Sequence, residues 1–181
     1  LTTDNLVDSS AKSKAVFILK EKGVIAGLKI AEMVFKKLDE DIKFRSLVKE
    51  GSEIFAESKI AEVEGSTATI LKGERTALNF LQRMSGIASE TRRYVELVKD
   101  YPAKIVDTRK TTPTLRALEK YAVKKGGGSN HRMGLFDAVM IKDNHIKDAG
   151  GIEKAAELIK DQVSHTVKIE IEVEDLKGVK K

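Results

Sequence analysis

From residue 103 onward, short apolar runs alternate with segments of helical periodicity, and no other feature constrains the fold of this chain as strongly. Lys104–Asp107 reads as a short strand. Thr112 is placed to cap a helix and Pro113 to open it, with Leu115, Leu118 and Ala122 on its inner face and Gly126 as its stop. AVMIK at 138–142 reads as a buried strand, 148–159 as mostly helix, and VKIEIEV at 167–173 as a further strand. Strands separated by helices pair in parallel, because the chain has to cross back over the sheet between them. The fold class is therefore α/β for this part of the chain.

The preceding residues read as a small α+β module. Strands are expected at Lys14–Leu19 and Val24–Ala26, near Ile42–Val48, Ser52–Glu57 and Ile60–Glu64, and again at Thr67–Leu71. Leu28–Leu38 carries Ile30, Ala31, Val34 and Leu38 at helical spacing. A long helix is expected from Thr76 to Lys99, with Leu78, Leu81, Met84, Ala88 and Val95 on one side and Ser85 and Gly86 interrupting it. Glycine in a helix costs about 1 kcal/mol relative to alanine, so close packing is the expected reason for keeping Gly86.

Several function classes are disfavoured. The chain has no cysteine, which removes disulfides, thiolate metal sites and a cysteine nucleophile. Its longest apolar runs, such as AVFIL at 15–19, fall far short of the roughly 18 residues that span a bilayer. The N-terminus carries no signal-peptide pattern, and the expected setting is cytoplasmic, with no membrane partner. The net charge of +5 permits anionic ligands, but aromatics make up only 5% and the cations cluster at strand ends. Nucleic acid, which is bound through aromatic platforms and basic stripes, is not the expected partner.

In parallel α/β folds, ligands bind beyond the carboxyl ends of the strands. Here those ends carry Arg109 and Lys110, then Lys142, Asp143, Asn144 and His145, with Glu170 and Glu172 on the last strand. His131 and Arg132 occupy the loop before AVMIK, beside three glycines. Arginine grips carboxylate or phosphate bidentately and lysine acts as a mobile point charge, so the set suits a substrate with several negative charges. Lys142 closes an apolar strand, where an unpaired ammonium is costly, which favours a functional role. His145 is expected to be a structural hydrogen-bond donor. Glu170 and Glu172 share a face by period two, and either could be an ordinary salt-bridge partner. A carboxylate among cations has a purpose if part of the ligand becomes positive during reaction, or if Mg²⁺ is bound.

The stretches GERTALNFLQRMSGIA (73–88), DTRKTTP (107–113), GGGSNHRMGL (126–135), IKDNHI (141–146) and IEIEVEDL (169–176) closely resemble quinolinate phosphoribosyltransferase, the carboxylating nicotinate-nucleotide pyrophosphorylase. The early LTTDNLV and KEKGVIAGL (20–28) resemble that family's N-terminal domain. The resemblance implies transfer of a phosphoribosyl group from phosphoribosyl pyrophosphate to quinolinate, with Mg²⁺ as cofactor. The products are nicotinate mononucleotide, pyrophosphate and CO₂, in de novo NAD biosynthesis. It implies an N-terminal α+β domain over residues 1–79, contributing to the partner subunit's site. Residues 80–181 would form a linking helix and the first part of an α/β barrel of parallel strands. The expected assembly is a homodimer or a multiple of dimers with shared active sites.

The resemblance also implies residue roles. Arg75 reaches the neighbouring subunit's site and binds quinolinate. Arg109, His131 and Arg132 hold the quinolinate carboxylates. Lys110 and Lys142 contact phosphoribosyl pyrophosphate, and Lys142 also touches quinolinate. Glu172 lies near the ribose and metal, with Glu170 as the alternative carboxylate. Lys142 and Glu172 are the expected catalytic groups. Members of the family run to nearly 300 residues, so a further strand and glycine-containing phosphate loops are expected beyond the Glu172 strand, without which the barrel stays open and activity incomplete. Nicotinate is the competing substrate, and the number of arginines favours the dicarboxylate.

Overall fold

Along KSKAVFI, Ala15 and Phe17 turn inward while Lys14, Val16 and Ile18 face outward, the period-two signature of a half-buried strand. A computed structural model describes residues 1–180 and makes this segment β1 (Lys12–Ile18), after a five-residue helix α1 (Thr2–Leu6). β1 pairs antiparallel with β5 (Lys59–Ser66), whose other edge pairs antiparallel with β3 (Lys43–Ser46). A second, two-stranded antiparallel sheet joins β2 (Gly23–Val24) to β4 (Glu53–Ile54). These strands and two helices, α2 (Leu28–Leu38) and α3 (Thr67–Val98), make the α+β portion of the first of two compact units, Leu1–His131.

The core of this portion centres on Phe17, Phe35 and Phe44, whose ring centroids lie 6.0–6.1 Å apart. Ile25, Leu28, Ile42, Val63 and Leu81 complete it, all nearly inaccessible. Phe35 reaches α3 because Gly73 leaves room: a Cβ there would sit 2.7 Å from the ring. Gly86, by contrast, has nothing within 4 Å of where its Cβ would be, so close packing within this chain is not what holds glycine at that position.

α3 begins earlier than the apolar spacing predicts. Thr67–Leu71, expected as a strand, forms its first turn, with Ser66 accepting from the Thr69 N–H at 3.4 Å. β-Branched residues favour strands only weakly, and the N-cap overrides that preference. Its 32 residues span about 48 Å. The buried positions Ile70, Gly73, Ala77, Leu81, Met84, Ala88 and Thr91 recur every three or four residues and form one face. Ser85 Oγ accepts from the Ala26 N–H at 3.1 Å and Ser89 Oγ from the Val24 N–H at 2.8 Å. Two helix hydroxyls thus satisfy the outer edge of the β2 segment.

α4 (Arg116–Lys125) docks on the second half of α3 through Ala122, against Met84 and Ala88. It starts three residues after Pro113, because Thr114 takes a left-handed conformation (φ 67°) and delays the helix. The expected strand at 104–107 is reduced to a single parallel bridge, Val106 to Ser129.

The second unit, Arg132–Lys181, holds β6 (Val139–Ile141) and β7 (Ile169–Ile171), paired in parallel as the alternation requires, and a terminal turn of helix α7 (Leu176–Val179). The residues between them, expected as one helix over 148–159, form two: α5 (Asp143–Ala149) and α6 (Ile152–Lys160). Gly150 and Gly151, at φ 86° and 142°, separate them with backbone that other residues rarely adopt. The unit is α/β, and the parallel strands among the described residues do not close a barrel. Among the same residues no helix is long and apolar enough to cross a membrane.

The start of α2 is secured from a distance. Glu50 accepts from the N–H groups of Gly27 at 3.0 Å and Leu28 at 2.6 Å, placing a carboxylate at the positive end of the helix. Glu50→Ala is expected to lower stability by about 2 kcal/mol, the scale of charge-assisted bonds to buried donors. Urea unfolding of the two proteins, with unchanged denaturant dependence, measures it.

Candidate active site

The segment DTRKTTP is not a free loop. Glu119, one turn into α4, accepts from the Thr112 N–H at 3.1 Å and from Arg83 Nε at 3.1 Å, and Arg83 also bonds the Thr112 hydroxyl. Arg116 Nη2 donates to the Arg109 carbonyl at 3.3 Å, and its Nε to the Thr111 hydroxyl at 3.1 Å. The Lys110 N–H donates to Thr108 Oγ1 at 3.0 Å. These bonds hold a cavity of about 370 Å³ whose wall includes Lys110, Thr108, Thr111 and Arg83. Thr114, a β-branched residue at positive φ, stores strain that this network has to offset.

Arg109 is half-buried, and its Nε is buried with no hydrogen-bond partner. An unsatisfied buried guanidinium N–H costs enough that native proteins seldom leave one without a function. Lys110 is exposed.

His131 is half-buried at the end of the first unit. Its N–H donates to Asp107 Oδ1 at 2.9 Å, and its carbonyl accepts from Lys120 Nζ at 2.9 Å. The glycine run before it is a packed corner. A Cβ on Gly126 would lie 2.4 Å from the Ala88 carbonyl, and one on Gly128 would lie 2.8 Å from Val123. α4 stops at Gly126, as expected, and Gly127 supplies the left-handed residue (φ 96°) that follows it. Arg92 Nε donates to the Gly126 carbonyl at 2.9 Å and fixes the corner to α3.

Arg75 stands apart within the first unit. It is exposed on α3, about 12 Å along the helix from Arg83 at 1.5 Å per residue, with no ion pair to a described residue.

In the second unit, the carboxyl ends of β6 and β7 lie side by side, because the Glu172 N–H donates to the Ile141 carbonyl at 2.8 Å. Lys142 and Glu172 follow these ends and face one another, Nζ to Oε2, at 3.5 Å. Lys142 is 47% exposed, so burial of an ammonium is not what distinguishes it. Glu170 lies opposite Met140 in the ladder and pairs with Lys168. Arg132 donates to the Ala138 carbonyl at 3.3 Å and lines an apolar cavity with Met140 and His145. His145 Nδ1 accepts from the Lys142 N–H at 3.0 Å. The ring is structural, as expected, but as acceptor rather than donor.

The structure thus brings Arg109, Lys110 and His131 onto neighbouring chain ends in the first unit, and Lys142 and Glu172 together in the second. Arg83, Glu119 and Lys120 were not legible as part of this set. EK at 119–120 reads as an ordinary solvated helix pair, and only the docking of α4 reveals otherwise.

The profile "Quinolinate phosphoribosyl transferase, N-terminal domain" matches residues 1–85, and its C-terminal counterpart matches residues 87–181. The chain therefore belongs to the quinolinate phosphoribosyl transferase family. A protein of Synechocystis called probable nicotinate-nucleotide pyrophosphorylase [carboxylating] is 47% identical over 93% of this chain and 57% of its own length. One of the same description from Bacillus subtilis is 44% identical over 95% of this chain and 60% of its own. The crystal structure of NadC from Streptococcus pyogenes superposes with a TM-score of 0.93 at 42% identity, covering 98% of this chain and 63% of that one. The chain spans somewhat over half the length of these curated relatives.

Burial alone would raise the proton affinity of Glu119, but its bonds from Arg83 and from the Thr112 hydroxyl and N–H outweigh it and hold the carboxyl below its ordinary value. A folded-state value below the unfolded one contributes stability above the unfolded-state titration, lost as pH falls through the folded-state one. Glu119→Gln is therefore expected to flatten the acid limb of the stability curve, read from urea midpoints between about pH 7 and about pH 3.

Proposed function

We propose that this chain serves phosphoribosyl transfer from phosphoribosyl pyrophosphate to quinolinate with decarboxylation. The products are nicotinate mononucleotide, pyrophosphate and CO₂, and the setting is cytoplasmic NAD biosynthesis. The observation that carries the reading is Arg109, whose buried Nε lacks a partner beside Lys110 and next to the chain end bearing His131. A guanidinium held in this way is completed by an anionic ligand.

In this reading, Arg109, His131 and Arg132 bind the two carboxylates of quinolinate, and Arg75 does so from a neighbouring subunit in a homodimer. Lys110 and Lys142 hold phosphoribosyl pyrophosphate. Orientation aims the ring nitrogen at the anomeric carbon and supplies much of the rate. As pyrophosphate departs the ribose becomes oxocarbenium-like, and the Glu172 carboxylate stabilises that charge. Alkylation turns the ring into a pyridinium, an electron sink, and the adjacent carboxylate leaves as CO₂ while nearby cations stabilise the ylide, whose carbon then takes a proton from solvent to give nicotinate mononucleotide. The described residues contain no cluster of three or more His, Asp or Glu that could hold a metal. The 65%-exposed Glu172 nevertheless fits Mg²⁺, which binds through one or two carboxylates, water and substrate phosphates. When bound, Mg²⁺ neutralises charge on the leaving pyrophosphate.

Calorimetric titration with quinolinate and with nicotinate tests the substrate class, followed by phosphoribosyl pyrophosphate with Mg²⁺ and mass detection of nicotinate mononucleotide. Preference for quinolinate and product formation are expected, and preference for nicotinate would refute the dicarboxylate assignment. Lys142→Ala is expected to lower turnover by about a hundredfold or more while changing stability by less than about 1 kcal/mol. Arg75→Ala is expected to weaken quinolinate binding, and mixing it with a Lys142→Ala protein to restore part of the activity. If no mixture restores any, Arg75 does not act across subunits.

A further inference from the structure

Lys120 lies in the middle of α4, its side chain 2% exposed, bonded to the carboxylate of Asp107, itself 7% exposed. Desolvating both charges costs several kcal/mol, and a well-packed apolar pair in their place is often no less stable. Core stability alone is a poor reason for the pair.

Its remaining bonds all go to the segment that carries His131. Lys120 Nζ donates to the His131 carbonyl at 2.9 Å, and Asp107 Oδ1 accepts from the His131 N–H at 2.9 Å. With its amide turned to satisfy both neighbours, Asn130 donates to Asp107 Oδ2 and to the Lys120 carbonyl, each at 2.9 Å. Main-chain bonds from Asp107 N–H to the Ser129 carbonyl at 3.2 Å and from Ser129 N–H to the Ile105 carbonyl at 2.8 Å complete the join. Both polar main-chain groups of His131 are thereby held by one buried ion pair, two residues before Arg109.

We propose that Lys120 is a positioning residue. Through Asp107 and the His131 carbonyl it fixes the register of the two chain ends from which Arg109 and His131 emerge, so that they receive a pyridine dicarboxylate. The role rests on the function proposed above for Arg109 and His131.

The test uses Lys120→Met and the double variant Lys120→Met/Asp107→Asn. The single variant leaves a buried carboxylate uncompensated and is expected to be destabilised. The double variant removes both charges and keeps an acceptor for the His131 N–H, so it is expected to fold and to be less destabilised than the single variant, although the His131 carbonyl loses its donor. It should nevertheless bind pyridine-2,3-dicarboxylate about tenfold more weakly or worse, the scale seen when the support behind a binding group is loosened. The His131 ring signal in carbon-13 NMR should shift or broaden, while those of His145 and His165 stay in place. Wild-type affinity with an unchanged His131 signal in a folded double variant would overturn the proposal. If wild type binds no dicarboxylate while the His131 signal still moves in the double variant, the proposed function falls and the positioning of His131 stands.

Discussion

Everything in the first unit depends on how closely other elements can approach α3. Glycine, alanine, serine and threonine stand along that helix at the points where something crosses it. Gly73 admits the Phe35 ring, Ser85 and Ser89 bond the edge of the β2 segment, and Ala88 and Thr91 lie under the glycine corner. Interiors are packed near crystal density, so a larger residue at any of these points pushes a whole element outward rather than a side chain. The helix thus sets both the hydrophobic core of the α+β portion and the position of α4, and α4 in turn holds Glu119 and Lys120 under the DTRKTTP segment.

The charged groups fall into two kinds. Those with their hydrogen-bonding capacity engaged by the fold, such as Glu119, Arg83, Lys120 and Asp107, shape main-chain segments. Those with bonding capacity left over include half-buried Arg109 with its unpartnered Nε, exposed Lys110 and the Lys142–Glu172 pair at the carboxyl ends of two parallel strands. The second kind can do chemistry because the first kind relieves it of structural duty, which is what preorganisation requires.

Much of this was legible in the residues. The alternation after residue 103 gave the parallel pairing of β6 and β7; period two put Glu170 and Glu172 on one face without choosing between them, and it is the fold that sets Glu172 beside Lys142. What was not legible depended on tertiary packing. Thr67–Leu71 looks like a strand until Ser66 caps it as helix. Residues 104–107 carry strand propensity but find a partner only at Ser129. Lys142 follows an apolar run, yet the turn into α5 carries it to solvent, where sequence reasoning had it buried. Lys120 shows the opposite error: it sits among charges in the sequence and is nearly inaccessible in the fold. Gly86 shows that a helix glycine can be unexplained by its own chain's packing.

Arg92 has a consequence for how distant parts of the first unit communicate. One guanidinium donates to the Gly126 carbonyl and to the Gly51 carbonyl, 3.3 Å away, immediately after the Glu50 that caps α2. The glycine corner and the α2 start therefore share a single anchor. Because linkage is reciprocal, any free energy that this anchor couples between them acts equally in both directions, from the corner to the α2 start and back.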